Sequence, residues 1–165
     1  MYYSTQYSSP VGVMTLACHA DKLVGLWIEG QKYFGCSVSQ KMFAKDDIAV
    51  FDATKKWLDR YFAKAKPLIT ELPLAPSGSA FRQAVWQILC GIPYGQSLSY
   101  GDIAKKLNKN SAQAVGGAVG HNPISIIIPC HRVLGKDGSL TGYAGGLDVK
   151  AKLLELEGFT TSVSL

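Results

Sequence analysis

Three histidines, four cysteines and three methionines are all the imidazole and sulfur side chains that could bind a metal in these 165 residues. The cysteines (Cys18, Cys36, Cys90 and Cys130) follow no regular spacing, and neither a C-x-x-C nor an H-x-x-x-H pair occurs. Cys18, His19 and Cys36 would give three ligands where a structural zinc wants four, so no metal site is expected. No apolar run approaches the roughly 20 residues needed to cross a bilayer. Met1-Tyr2-Tyr3-Ser4-Thr5 lacks the basic stretch and apolar core of an export signal. Reduced thiols and an intracellular, cytoplasmic protein are the expectation. Internal repeats and low-complexity tracts are missing too. Charge is sparse, at 18% of residues against 47% hydrophobic, which argues against disorder. The net charge of +5 is spread thinly over both halves. That permits nucleic-acid binding without demanding it.

What is present divides in two. Residues 11–29 alternate apolar and polar side chains around Ala20-Asp21-Lys22, a hairpin signal, with 2–7 as a further strand. Val50, Phe51, Trp57, Leu58, Tyr61 and Phe62 fit an amphipathic helix over 48–62. Pro67, Pro73, Pro76 and Gly78 mark a boundary. The expected fold is α+β: a small N-terminal α/β domain with a short antiparallel sheet (1–76) and a mainly helical C-terminal domain (77–165). In the second part, Ser79 is placed to cap a helix bearing Phe81, Val85, Trp86 and Leu89. Residues 99–102 read as another helix start, and 111–120 as a helix of small residues. Gly116 and Gly117 each weaken such a helix by about 1 kcal/mol relative to alanine, so a smooth face serves either close packing or a ligand. Two short helices joined by a turn make a helix-turn-helix candidate, though many helical hairpins bind nothing. A strand is expected over 124–128, a glycine-rich loop over 142–146, and a final helix over 148–157 ending at Gly158.

The apolar run Ile126-Ile127-Ile128 leads into Pro129-Cys130-His131-Arg132-Val133. Proline fixes its own φ and biases its predecessor to extended backbone, so the cysteine follows a rigid support. A cysteine after a hydrophobic stretch is ordinarily a small core residue. Beside histidine and arginine its thiol pKa would fall, whereas apolar burial would raise it. In an extended chain Cys130 and His131 point to opposite sides, and a water could connect them.

These residues carry a resemblance. Residues 128–133 (Ile-Pro-Cys-His-Arg-Val), preceded by 114–118 (Ala-Val-Gly-Gly-Ala) and Asn122-Pro123, and followed by Gly142-Tyr143-Ala144-Gly145-Gly146, resemble the O6-alkylguanine-DNA alkyltransferases. The match is strong over about 79–158. It implies DNA repair by stoichiometric transfer of an alkyl group from O6 of guanine, or O4 of thymine, in double-stranded DNA to a cysteine that is not regenerated. The family binds the minor groove through its helix-turn-helix and flips the damaged base out. No cofactor is implied, and the expected protein is a monomer that could bind DNA cooperatively.

Carried over residue by residue, the resemblance makes Cys130 the acceptor and His131 the base that takes its proton through a water. Glu157 orients the histidine, and Asn122 helps to hold the network. A soft sulfur anion suits displacement at an alkyl carbon. Tyr100 matches the tyrosine that protonates the leaving guanine and crowds a phosphate; Gly101 lies beside it on the DNA side. Tyr143, Ala144 and Gly145 match the wall of the base pocket, and Lys136 is a candidate phosphate contact. Read alone, Tyr100 could be a packing residue, and Glu157 or Lys136 a solvated charge. Gln113 stands where many members carry an arginine inserted in place of the flipped base, and the zinc ligands of some members are missing. Two other functions stay open: a sensor of alkylated bases, whose relatives lack the cysteine, and a thiol hydrolase, which needs an oxyanion site.

Overall fold

The structure, a computed structural model, describes residues 1–108 and 111–159. Two compact units emerge, Met1–Ser77 with Pro123–Ser125, and Gly78–Asn122 with the chain from Ile126 onward.

The first unit is built on strands β1 (Tyr2–Ser9), β2 (Gly12–His19), β3 (Lys22–Ile28) and β4 (Met42–Ala44), in the order β3-β2-β1-β4. The β2–β3 hairpin turns on Ala20 and Asp21, both with positive φ (50° and 64°). That is the two-residue geometry matching the twist of the flanking strands. The sheet is mixed rather than purely antiparallel, because β4 runs parallel to β1. Helix α1 (Ala49–Phe62) buries Val50, Phe51, Trp57, Leu58 and Tyr61 of the expected stripe together with Thr54, while Phe62 is half-buried. The outer edge of β3 is covered twice. Leu23 exchanges backbone bonds with the 73–75 segment, its N–H donating to the Pro73 carbonyl at 2.8 Å and its carbonyl accepting from the Ala75 N–H at 2.8 Å. Farther along, the Leu26 N–H donates to the Pro123 carbonyl at 2.8 Å and the Ser125 N–H to the Leu26 carbonyl at 3.0 Å. Gln31 finishes this join, its Oε1 accepting from the Ile28 N–H (2.9 Å) and the Ser125 hydroxyl (3.2 Å).

In the second unit, Ser79 caps α2 (Ala80–Cys90) by accepting the Arg82 N–H at 3.3 Å. Trp86 is buried on α2, and its indole N–H donates to the Ala118 carbonyl at 2.9 Å, fastening α2 to α4 (Ala112–Gly120). Between them, α3 (Tyr100–Lys106) opens on a capping box in which Ser99 and Asp102 exchange two 3.0 Å bonds. Ser111 caps α4 through the Ala114 N–H at 3.0 Å. Strand β5 (Leu98–Ser99) pairs in parallel with β6 (Val133–Leu134), a contact the sequence did not predict. The start of α3 is thereby set beside the chain leaving Cys130. Helix α5 (Leu147–Leu156) follows, and Gly158 (φ 93°) closes it in the left-handed conformation that glycine tolerates. Residues 109–110 of the expected turn between α3 and α4, and the end of the 77–165 region beyond 159, lie outside the described residues.

One expectation fails. Residues 124–128 do not form a strand: Ile124 makes a single bridge to Leu26, and the following residues turn. Ile126 sits at φ 72°, an unusual conformation for a β-branched residue. Asn122 accounts for the reversal, since its side-chain N–H donates to the Ile128 carbonyl at 2.7 Å and closes the run back on itself. All five residues are buried. An unbroken apolar run reports burial on every side, which an irregular segment satisfies as well as a strand does.

Candidate active site

Cys130 opens a 3₁₀ turn over Cys130–Arg132, entered from Pro129 at φ −81° and ψ 65°. The chain here is not extended, so Cys130 and His131 do not alternate across a strand as expected. The sulfur is buried, with the residue 4% exposed. Burial pushes the thiol pKa up; the Asn122 side chain bonded to the sulfur, the Lys150 charge and nearby backbone N–H groups pull against it. Desolvation prevails, and the resting group is a thiol. Asn122 has two N–H bonds on Nδ2. The amide holds the Ile128 carbonyl and also interacts with the sulfur, so one side chain bears on both the approach to Cys130 and its thiol.

His131 is fully buried, and its Nε2 lies 2.6 Å from Glu157 Oε2. The Glu157 carboxyl, itself buried, is held at about 2 by its bonds to His131 and Arg132, which outweigh desolvation. It is a carboxylate and can only accept, so Nε2 carries the hydrogen and Nδ1 the basic lone pair. Burial keeps the His131 pKa below its usual value despite the carboxylate. The ring is neutral and able to take a proton. Glu157 is therefore no solvated helix-end charge.

Arg132 entered the sequence reading only as a charge beside the cysteine that would lower its thiol pKa, and its partner is instead the Glu157 carboxylate. Its Nε donates to Glu157 Oε1 at 2.7 Å and one Nη to Oε2 at 3.2 Å, while the other Nη holds the Ile92 carbonyl at 2.7 Å. The guanidinium carbon stands 5.6 Å from the Tyr94 ring centre. With the Gly95 N–H donating to Oε1 at 3.1 Å, the carboxylate accepts four bonds and has a fixed orientation.

Lys150 was missed altogether. On α5 it precedes Leu153 and Leu154 by three and four residues, and that shared face was the signal available in the sequence. It is fully buried, and desolvation lowers its pKa to about 8. Its ammonium donates to the Val133 carbonyl (2.6 Å), to Thr141 (2.8 Å) and to Gly142 (3.4 Å). Tyr100, half-buried at the start of α3, donates its hydroxyl to the same Thr141 carbonyl at 3.1 Å. Burial raises the Tyr100 pKa, so the phenol keeps its proton.

The structure thus gathers Cys130, His131, Asn122 and Glu157 into one buried cluster and ties Tyr100 to the loop before Tyr143. The remaining predicted residues lie nearer the surface. Tyr143, Ala144 and Gly145 are half-buried, while Gly101, Gln113 and Lys136 are exposed. On α4, a Cβ added at Gly117 would meet nothing within 4 Å, and one at Gly116 only the Tyr100 ring at 3.9 Å. Close packing does not require either glycine. Among the described residues, no group of three or more His, Cys, Asp or Glu side chains is gathered as metal ligands would be.

Residues 1–76 match the family described as "6-O-methylguanine DNA methyltransferase, ribonuclease-like domain", and residues 80–159 match its "DNA binding domain". A methylated-DNA–protein-cysteine methyltransferase of Haemophilus influenzae is 44% identical over 156 residues, covering 94% of this chain and 86% of that protein. One from Methanosarcina acetivorans is 42% identical over 164 residues, covering 96% and 99%. The crystal structure of Mycobacterium tuberculosis OGT in complex with DNA superposes with a TM-score of 0.82 at 41% identity, covering 94% of this chain and 91% of that one.

Proposed function

The chain belongs to the 6-O-methylguanine DNA methyltransferase family, and from that premise we propose that it repairs DNA by moving an alkyl group from O6 of guanine to Cys130, once per molecule. The observation that carries this reading is the buried cysteine beside a neutral histidine whose far nitrogen is locked to a carboxylate. That is the nucleophile, base and orienter arrangement of covalent catalysis.

Chemistry follows from the charges. Cys130 rests as a thiol and becomes a nucleophile when His131 Nδ1 takes its proton through a water. Glu157 stabilises the imidazolium that forms without itself becoming protonated. Asn122 and the Lys150 charge favour the sulfur anion. The new S–C bond forms as the C–O6 bond breaks, and the electron pair departs with the guanine. A proton from Tyr100 meets that charge, and the proton taken up by His131 returns through solvent to the phenol, leaving an unmodified base, a thioether and both side chains neutral. Because a thioether is a poor leaving group, nothing returns the sulfur to its starting state.

The partner is double-stranded DNA containing O6-alkylguanine. Ser111 anchors a helix whose outer face carries Ala112, Gln113, Ala114 and Gly117, all exposed. Short side chains let such a helix approach a minor groove about 6 Å wide. Gln113 fills the space left by the flipped base, with Tyr143, Ala144 and Gly145 walling its pocket. Gly101 and Lys136 contact the backbone, a term that weakens as salt rises. Intact-mass analysis after mixing the protein with a duplex containing O6-methylguanine tests the proposal. One methyl on Cys130 is expected, with no second turnover, and none in Cys130→Ala. Transfer retained in that variant would refute the assignment.

A further inference from the structure

We propose that Lys150 is a positioning residue for the transfer, fastening the loop that carries the pocket wall to the strand that leaves Cys130. The inference rests on the alkyltransferase reading for its function, but its geometry stands alone. An ammonium has three N–H bonds, and Lys150 spends them on three carbonyls. Val133 lies three residues after the acceptor cysteine, whereas Thr141 and Gly142 immediately precede Tyr143. Two segments that share no regular secondary structure are joined at one buried nitrogen.

The loop needs such a tie. From Ser139 to Leu147 no residue is buried as a whole, although the Tyr143 hydroxyl is sealed from solvent. The turn at its end, where the Gly146 N–H donates to the Tyr143 carbonyl at 2.9 Å, is internal to the loop. Thr141 also accepts the Tyr100 hydroxyl, so the ammonium and the phenol share an acceptor. Placing that carbonyl therefore places the proton donor and the wall of the base pocket together.

Stability gives no better reason for a cation at this position. Removing a charge from water is unfavourable, and a hydrophobic residue of similar volume is often at least as stabilising. The depressed Lys150 pKa records that penalty. What the lysine does that leucine or methionine cannot is hold three carbonyls at once.

The test compares the full-length protein with Lys150→Met and Lys150→Gln. Amide hydrogen exchange is followed by mass spectrometry over 140–146 and over α2. Single-turnover methyl transfer is measured across DNA concentration. In Lys150→Met, exchange over 140–146 should rise at least roughly tenfold with α2 unchanged. The transfer rate at saturating DNA should fall roughly 10- to 100-fold, the usual penalty for a misplaced reacting group, while half-saturation stays put. Lys150→Gln, which keeps two N–H donors on a shorter arm, should lie between the two; it carries the test alone if the methionine variant does not fold. Unchanged loop exchange in the variants would overturn the proposal, even if transfer slowed, because the lysine would then act only through its charge on the sulfur. Wild-type protein that leaves Cys130 unmethylated would instead sink the alkyltransferase reading, and the exchange data would still decide whether Lys150 holds the loop.

Discussion

Replacing Glu157 by glutamine removes one charge and almost no volume, so it isolates the carboxylate. In the native protein that group accepts from His131 Nε2, from two nitrogens of Arg132 and from the Gly95 N–H, and its side chain is fully buried. The amide offers one acceptor and one donor. Whichever way it turns, an N–H faces another N–H, and Arg132 loses its counter-charge. Two routes give the size of the effect. A carboxyl held at about 2 in the folded state and near 4.3 unfolded contributes about 3 kcal/mol. Breaking one side of a buried ion pair is destabilising by about 3–5 kcal/mol. A domain of this size has about 5–15 kcal/mol in all, so Glu157→Gln should still fold, with its reserve much reduced. The depressed pKa fixes the pH dependence. The stabilisation is complete above the unfolded value near 4.3 and is lost as pH falls through the folded value near 2. Urea unfolding followed by tryptophan fluorescence should thus show a gap of about 3 kcal/mol at pH 7 that closes towards pH 2. A gap under about 1 kcal/mol at pH 7, or one that persists in acid, would refute the assignment of a buried, ionised Glu157.

Gln113→Arg adds a charged, planar group to the exposed face of α4. DNA affinity should rise several-fold, with a steeper salt dependence, in fluorescence anisotropy titrations. Unchanged binding would mean that position 113 does not face the duplex. Ser99→Ala removes one partner of the capping box at the start of α3, and a loss of about 1 kcal/mol is expected in the same urea titration. Because Tyr100 is the next residue, methyl transfer by this variant should slow as well; full rate with full stability would show that the cap does not set Tyr100.

Local chemistry was legible in the sequence wherever a few neighbours decide the outcome. Ser79 caps its helix and the 99–102 segment starts one, as their side chains favour, and the α1 stripe from Val50 to Tyr61 is buried as its spacing requires. Two kinds of feature escaped. The run 124–128 was misread because its reversal depends on Asn122 reaching the Ile128 carbonyl, a closure that hydrophobicity does not encode. Lys150 and the bonds that Arg132 makes were missed because the partners lie 17 and up to 40 residues away, at Val133 and Ile92. The β5–β6 pairing, two residues on each side, is too short to leave a periodic signal.

Gene-splitting at the apparent seam would miss a small piece. Pro123–Ser125 belongs with the first unit although some forty-five intervening residues do not, and it seals the flank of β3 at Leu26. A fragment ended at Ser77 would leave those amides and carbonyls open, and a bare strand margin recruits other chains. The first unit is thus a discontinuous inheritance, and a soluble truncate or a chimera would have to bring those three residues along.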